Sequence, residues 1–280
     1  MPDRAAASAV DIELRLLMEA IYLRYSHDFR DYAPASFKRR AMHAIAQMGL
    51  PTVSSLQDRI LRDPQMFARL LSYLTVPVSE MFRDPSYYLA VRQHVAPVLR
   101  TYPSVKIWIA GCSTGEEVYS MAILLREEGL LDRAIIYATD INPGSLDKAR
   151  AGIFAMDNVR QYTANYQKSG GTSAFSDYYT AAYGGALFDR SLVQGVTFAD
   201  HSLSTDSVFT ETQFISCRNV MIYFNKALQD RALGLFAESL SHRGFLGLGS
   251  KESLDFSAHA KSFEPLVKSE RLFRKAGGLA

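Results

Sequence analysis

Residues 107–117, with the sequence IWIAGCSTGEE, have the composition of a ligand-binding turn. Gly111 and Gly115 let the backbone turn sharply and approach a ligand closely, and the free N–H groups at a helix start attract polar groups. Ser113 occupies the second glycine position of the dinucleotide fingerprint, so the segment departs from that motif. The acidic pair Glu116 and Glu117 would repel a pyrophosphate. The segment therefore predicts a cofactor site that favours a ligand with a cationic group.

A second signal follows at Asp140, the last residue of the strand-like run AIIYATD. A carboxylate at this place in an α/β fold can accept hydrogen bonds from both hydroxyls of a ribose. Taken together, the two signals predict a nucleoside that bears a positive charge, and S-adenosylmethionine is such a molecule. Taken separately, Ser113 and Glu116 would form a helix capping box, and Asp140 would be a solvated residue at a strand end.

Two further segments carry polar residues that could reach the same ligand. In FISCRNVMIYF a buried strand runs into Arg218 and Asn219, followed by Tyr223. Strand carboxyl ends line the ligand crevice of open α/β sheets, so these three side chains are expected to face the site. In LTVPVSEMFRDP, Arg83 could lie over a cofactor carboxylate. The alternatives are Arg218 capping a carbonyl, Tyr223 packed in a core and Arg83 as a surface charge.

The segment 111–115 also matches GxSxG, the nucleophile elbow of serine hydrolases. His242 and His259 would then be candidate bases. Several strands precede the elbow in that fold, whereas everything before Val105 has the pattern of helices, and no glycine-rich oxyanion segment lies upstream. A serine hydrolase remains an alternative.

The surrounding pattern predicts an α/β fold. Residues 9–31 have helical spacing, Pro34 can open a second helix, and SSLQDRILRD suits another, so the first region is expected to be all-helical. Afterwards buried strands alternate with helices, which indicates a doubly wound, Rossmann-like sheet. SFEPLVKSERLFRK suits an antiparallel edge pair, and the segment around Gly184 suits a small antiparallel insertion. The expected domains are a helical region at 1–73, a linker at 74–84, and an α/β domain at 85–280 with its insertion at about 172–195.

Composition excludes several classes of protein. The 280 residues are 48% hydrophobic, and 31 Lys and Arg balance 29 Asp and Glu, which argues against nucleic-acid binding and against a membrane surface. Cys112 and Cys217 form no metal-binding pattern, and we expect free thiols, no metal site and a reducing cytoplasm. The N-terminal residues lack the apolar core of a signal peptide, and no apolar run suits a membrane span.

These motifs together resemble the CheR-type chemotaxis-receptor methyltransferases, a family of S-adenosylmethionine-dependent protein-glutamate O-methyltransferases. The resemblance covers a helical N-terminal region, SEMFRDP, AGCSTGEEVYS, ATDIN with KARAGIF, CRNVMIYFN and LGSKESL. It implies that Arg83 and Tyr223 flank the transferring methyl group and that S-adenosylhomocysteine is the product. The cofactor contacts that it implies are Ser79, Arg83, Gly111, Glu116, Glu117, Asp140, Ser202, Leu203, Arg218 and Asn219.

The chain departs from the family pattern at Pro77, Ser202 and Val118, where relatives commonly carry Asn, Asn and Pro. Pro77 loses a side-chain amide and Ser202 shortens a polar reach towards the adenine, so both are expected to weaken cofactor binding. A cofactor-binding regulatory module without turnover is therefore an alternative function. The hairpin YYTAAYGGALF does not match the glycine-rich loop that family members use to recognise a receptor's C-terminal peptide.

A local positive charge predicts the partner surface. Residues 22–50 contain five basic residues, Arg24, Arg30, Lys38, Arg39 and Arg40, against Asp28 and Asp31. This excess suits the acidic helices of a receptor's methylation region, and the resemblance implies that the helical domain meets the receptor. The alternative is an ordinary solvated helix face.

Overall fold

The computed structural model describes residues 8–75 and 79–277. The chain divides into two compact units, Met1–Val76 with Tyr223–Leu228, and Pro77–Ile222 with Gln229–Ala280. The short segment Tyr223–Leu228 thus belongs with the helical unit although it lies far along the chain. Within the described residues, no helix combines the length and apolarity needed to cross a membrane.

The described part of the first unit contains four helices before the linker: α1 (Ala9–Tyr25), α2 (Pro34–Gln47), α3 (Val53–Arg62) and α4 (Pro64–Leu74). This confirms the all-helical region and its first three helices, while α4 was not predicted separately. The first helix ends six residues earlier than expected, because Ser26 adopts a left-handed conformation with a φ of 61° and caps it. Pro34 stands at the start of α2, where its missing N–H costs nothing. Buried Leu17, Ile45 and Leu70 contribute to the core of this unit.

The rest of the chain builds the α/β unit, to which the last helix, Lys226–Ser239, belongs only from Gln229 onward. Its elements are α5 (Pro85–Ala90), α6 (Ala96–Leu99), β1 (Val105–Ala110), α7 (Glu116–Glu127), β2 (Ala134–Asp140), α8 (Pro143–Ala151), β3 (Ile153–Ala155), α9 (Met156–Lys168), β4 (Tyr179–Ala182), β5 (Gly185–Phe188), β6 (Val196–Asp200), β7 (Thr212–Cys217), α10 (Lys226–Ser239), β8 (Leu240–Leu248), β9 (Phe263–Val267) and β10 (Leu272–Lys275).

The main sheet has the strand order β6-β2-β1-β7-β8-β10-β9. Neighbouring strands from β6 to β8 pair in parallel, and β10 runs antiparallel to both β8 and β9. This confirms the doubly wound sheet with an antiparallel edge pair. The carboxyl ends of β1, β2, β6 and β7 meet at one edge, which is where ligands bind in open α/β sheets.

A second sheet confirms the small antiparallel insertion, with the order β3-β5-β4. It also uses β3, which lies before the expected range of 172–195. Helix α9 and edge strand β6 were not expected from the sequence, because their apolar residues are interrupted by many polar ones. The sequence NKALQDRALGLFAESLSHRG predicts a helix to about Gly244, followed by the strand GFLGLGS. In the structure β8 already begins at Leu240, so α10 is shorter than this pattern suggests.

Candidate functional site

The turn after β1 is tied to the end of β2. The backbone N–H groups of Gly111 and Cys112 both donate to the Thr139 carbonyl at 2.8 Å. Gly111 has a φ of 74° and Gly115 a φ of 99°, conformations that residues with a Cβ rarely adopt. A Cβ atom at residue 115 would lie 2.8 Å from Ala149 Cβ. The two glycines are therefore required by backbone shape and by close packing.

Asp140 is built into this turn. Its Oδ2 accepts from the Ser113 N–H at 2.8 Å, and its Oδ1 accepts from the Asn142 N–H at 2.9 Å. Burial raises the pKa of Asp140, and the charge of Asp200, its register neighbour on β6, adds to the effect. Asp140 is thus not a solvated strand end. The Ile141 N–H also interacts with this carboxylate, which has about four acceptor sites, so the residue can still accept from a ribose hydroxyl.

The two adjacent glutamates of α7 point to different partners. Glu116 is buried and accepts from Thr114 Oγ1 at 2.7 Å, and the nearby Ser79 side chain favours its ionised form. Burial raises the pKa of Glu116. Glu117 accepts from Ser216 Oγ on β7 at 2.6 Å. Glu116 therefore shares its surroundings with a residue of the segment that precedes α5.

The expected capping box between Ser113 and Glu116 is not formed at the described start of α7. The residue that caps α7 is Gly115, without a side-chain hydrogen bond. The buried Ser113 hydroxyl oxygen has no hydrogen-bond partner among the described residues. No described histidine therefore activates this serine, so the GxSxG match is not a nucleophile elbow. An unpaired hydroxyl beside Asp140 instead suits a polar ligand.

Arg218 is buried beside α5. Its Nη2 donates to Asp84 Oδ2 at 2.7 Å, and its guanidinium carbon lies 4.2 Å from the centre of the Tyr87 ring. Burial alone would lower the pKa of Arg218, but the charge of Glu117 and the other neighbouring acidic groups raise it. The alternative role, capping a carbonyl, is not what the guanidinium does here. Arg218 thus holds the segment before α5, and its Nε has no partner in the described part of the chain.

Asn219 has a φ of 61° in the turn after β7. This turn is held by Glu252, which the sequence analysis did not single out although it lies in the LGSKESL motif. Glu252 accepts four backbone N–H groups, from Asn219 at 3.0 Å, Val220 at 2.9 Å, Met221 at 2.7 Å and Gly249 at 2.6 Å. Burial still raises the pKa of Glu252. The sequence signal that could have identified Glu252 is an acidic residue shortly after a strand end that contains glycines.

The remaining predicted cofactor residues lie in two loops of the same unit. Ser202 and Leu203 follow β6; the Ser202 N–H donates to Asp206 Oδ2 at 2.9 Å, and Leu203 is buried. Arg83 is half-buried and has no hydrogen bond or ion pair to any described residue. Pro77 lies outside the described residues, and Val118 is buried within α7.

Tyr223 belongs to the helical unit. Its carbonyl accepts from the Ala33 N–H at 2.8 Å, and the Arg40 guanidinium lies 4.2 Å above its ring. Arg40 also donates to the Leu74 carbonyl, and burial lowers the pKa of Arg40. Arg40 is therefore not a free surface charge, contrary to its assignment to the partner surface. Tyr223 itself is half-buried rather than packed in the core.

Acidic neighbours neutralise part of the expected basic surface. Arg30 pairs with Asp28 at 2.8 Å and with Glu19 at 3.3 Å, and Lys38 pairs with Asp11 at 2.8 Å. Two exposed members, Arg24 and Arg39, have no acidic partner within residues 8–75.

The two cysteines are buried and free. Burial raises the pKa of both thiols well above the ordinary value, so neither is an activated nucleophile.

This site fits a nucleoside with a cationic group. Asp140 ends β2 and Glu116 begins α7 after the turn that follows β1, while Ser113 in that turn offers a hydroxyl without a partner among the described residues. Acidic groups attract an ammonium or a sulfonium, and Arg83 suits a carboxylate. S-adenosylmethionine carries all three groups.

Comparison with known proteins gives the same result. The CheR methyltransferase, SAM binding domain matches residues 77–271, and the CheR methyltransferase, all-alpha domain matches residues 12–75. The chain is 69% identical over 266 residues to a Pseudomonas putida protein provisionally named methyltransferase Cher3, covering 95% of this chain and 97% of that protein. It is 32% identical over 206 residues to chemotaxis protein methyltransferase 2 of Pseudomonas aeruginosa, covering 72% and 71%. A chemotaxis protein methyltransferase of Listeria monocytogenes is 28% identical over 235 residues, covering 81% and 84%. The chain therefore belongs to the CheR family of S-adenosylmethionine-dependent methyltransferases.

Proposed function

We propose that this protein methylates glutamate side chains of methyl-accepting chemotaxis receptors in the cytoplasm. The observation that carries the proposal is the pair of carboxylates in the matched SAM binding domain, Asp140 bonded to the turn after β1 and Glu116 at the start of α7, which suits the cationic cofactor of the family. The relatives named chemotaxis protein methyltransferases support the receptor as substrate. A glutamate is then the acceptor by family resemblance.

Methyl transfer to a glutamate side chain requires little acid–base catalysis. The cofactor, when bound, supplies a methyl group activated by a sulfonium. A glutamate with a pKa near 4.3 is already ionised at neutral pH, so the protein needs no general base. Its task is to align and desolvate the carboxylate, a proximity effect.

Each site residue has a proposed part in that alignment. Asp140 accepts the ribose hydroxyls, Glu116 binds the ammonium group, and Arg83 orients the cofactor's carboxylate. The Tyr223 hydroxyl orients the substrate carboxylate. Arg218 acts by holding Asp84, since its guanidinium is committed to that carboxylate. Further cofactor contacts are proposed for Ser79, Gly111, Glu117, Ser202, Leu203 and Asn219.

The partner surface is proposed to centre on Arg24 and Arg39, which are exposed and unpaired by acidic side chains within residues 8–75. Acidic receptor helices would meet these charges, with smaller contributions from Arg30 and Lys38, which are already paired. The double variant Arg24→Glu/Arg39→Glu should lower receptor methylation and leave cofactor affinity unchanged. Equal methylation by this variant would refute the surface.

Two measurements on the full chain test the function. Calorimetry with S-adenosylhomocysteine measures binding, and transfer of a labelled methyl group to receptor fragments measures turnover. Esters of glutamate release labelled methanol in alkali, whereas methylated amines do not, so the label also identifies the acceptor. Asp140→Asn should weaken binding, and Asp177→Asn, at an exposed position, is the control. Binding without transfer would instead support the regulatory module without turnover.

A further inference from the structure

The segment 79–84 is held by side chains from three different elements of the α/β unit. The Ser79 side chain lies near Glu116 of α7, the Phe82 N–H donates to Ser120 Oγ at 2.8 Å, and Asp84 pairs with Arg218 after β7. Neighbouring Glu80 and Met81 are held by Asn165 of α9. Every residue from 80 to 84 except Arg83 therefore has a hydrogen bond to one of these anchors within the described residues.

Among these anchoring side chains, Asn165 forms the most hydrogen bonds. It is buried, and its Nδ2 donates to Glu80 Oε1 at 2.8 Å and to the Met81 carbonyl at 3.0 Å. Its Oδ1 accepts from Gln161 Nε2 at 2.8 Å. Both hydrogens of the amide and its oxygen are thus used, and only an amide supplies this combination at this length.

The anchored segment is strained. Phe82 has a φ of 50° and Asp84 a φ of 55°, and neither is a glycine. A left-handed conformation costs a residue with a Cβ roughly 1–2 kcal/mol, so it persists only where the surroundings enforce it. The segment would relax without its anchors, and Ser79 and Arg83 would leave their present positions.

We propose that Asn165 is a positioning residue for the cofactor site: it holds 79–84 in the strained conformation that presents Ser79 and Arg83 before the cofactor binds. The inference rests on the proposed roles of Ser79 and Arg83. Asn165 is not needed to dock its own helix, because α9 buries Val159, Tyr162 and Tyr166. Its amide acts on the segment rather than on the core.

Asn165→Asp tests this inference. The change keeps the size of the side chain, removes both donors and places a carboxylate against Glu80. If the bound conformation is then populated about one tenth of the time, the affinity for S-adenosylhomocysteine falls about tenfold. The KM for S-adenosylmethionine should rise by a similar factor, while kcat at saturating cofactor stays near the wild-type value. A purely structural defect would lower kcat as well, whereas a lower melting temperature is expected in either case because two buried hydrogen bonds are lost.

Two further variants complete the design. Asn165→Asp/Glu80→Gln lets residue 80 donate to residue 165 and should regain part of the lost affinity. Glu80→Ala removes the hydrogen bond between Asn165 and Glu80 without changing a residue of α9. It therefore tests whether this bond positions the segment even if the Asn165→Asp variant folds poorly. Wild-type affinity in both Asn165→Asp and Glu80→Ala would overturn the inference. Absence of binding to the wild-type protein would overturn the proposed function instead, and the inference with it.

Discussion

Gly111→Ala would test whether the cofactor turn depends on a residue without a side chain. Gly111 has a φ of 74°, and an added Cβ would overlap with Val220 Cγ2 and lie 3.3 Å from Val220 Cγ1. Two costs follow, one from the backbone conformation and one from crowding. The first is roughly 1–2 kcal/mol, less about 0.4–1 kcal/mol because alanine also restricts the unfolded chain. Overpacking adds about 1–3 kcal/mol.

A second glycine separates these two costs. Gly129 has a φ of 66°, and a Cβ there would have no described atom within 4 Å. Gly129→Ala therefore measures the conformational cost alone. We expect the free energy of unfolding to fall by about 1–3 kcal/mol more in Gly111→Ala than in Gly129→Ala.

Urea unfolding followed by tryptophan fluorescence measures the difference. Trp108 is the only tryptophan, and it is buried in β1 of the same unit, where its Nε1 donates to Thr139 Oγ1 at 2.8 Å. The double variant Gly111→Ala/Val220→Ala removes the methyl groups that the new Cβ meets. Its loss in free energy of unfolding should therefore be smaller than the sum of the losses in the two single variants. Equal losses in Gly111→Ala and Gly129→Ala, or additive effects in the double variant, would refute the packing argument.

Three other changes have defined outcomes. Burial raises the pKa of Glu116 and Asp140, so the folded protein binds protons at a pH where the unfolded chain has released them. Their ionisation costs stability at neutral pH, a cost that disappears as the pH falls through the raised pKa values. S-adenosylhomocysteine affinity should begin to fall at a higher pH than it would for carboxyls with ordinary pKa values; a flat calorimetric profile would contradict this. Glu252→Gln should lower the free energy of unfolding by about 2–6 kcal/mol, because two of its four N–H donors lose an acceptor, whereas exposed Glu264→Gln should change it by less than about 0.5 kcal/mol. Tyr223→Phe removes only a hydroxyl and should slow methyl transfer with unchanged cofactor affinity; undiminished transfer would exclude that role.

The sheet could be predicted from sequence because its central strands are short apolar runs that end in distinctive residues. Ile107 and Ile136 lie side by side in β1 and β2, and the turns after these strands carry Gly111 and Asp140. Local sequence determines such features. Helix α9 was harder to predict, although buried Val159, Tyr162 and Tyr166 have helical spacing. The many polar residues on the exposed face of α9 make the helical spacing of its apolar residues difficult to recognise in the sequence.

The exposed charge of the predicted partner surface could not be obtained from the sequence, because it depends on contacts between residues that are distant along the chain. A charge count over residues 22–50 includes Lys38 but omits Asp11, its partner on α1, so it overstates the exposed positive charge. The same holds for Arg40, which lies over the ring of Tyr223, a residue far away along the chain. Neither pairing has a local signal, because each depends on how the helical unit packs.

The pair Glu116 and Glu117 shows what geometry adds to a motif. Successive residues of a helix point about 100° apart, so two adjacent carboxylates in the first turn cannot face one ligand equally. Glu117 faces β7, where Ser216 donates to it and where its charge helps to keep buried Arg218 protonated. Glu116 faces Ser79 and retains no cationic side chain at hydrogen-bond distance within the described residues. Lys148 acts on Glu116 through its charge but forms no ion pair with it in the described part of the chain. The cofactor's ammonium group would supply a directly bonded cation, which favours Glu116 over Glu117 as its partner.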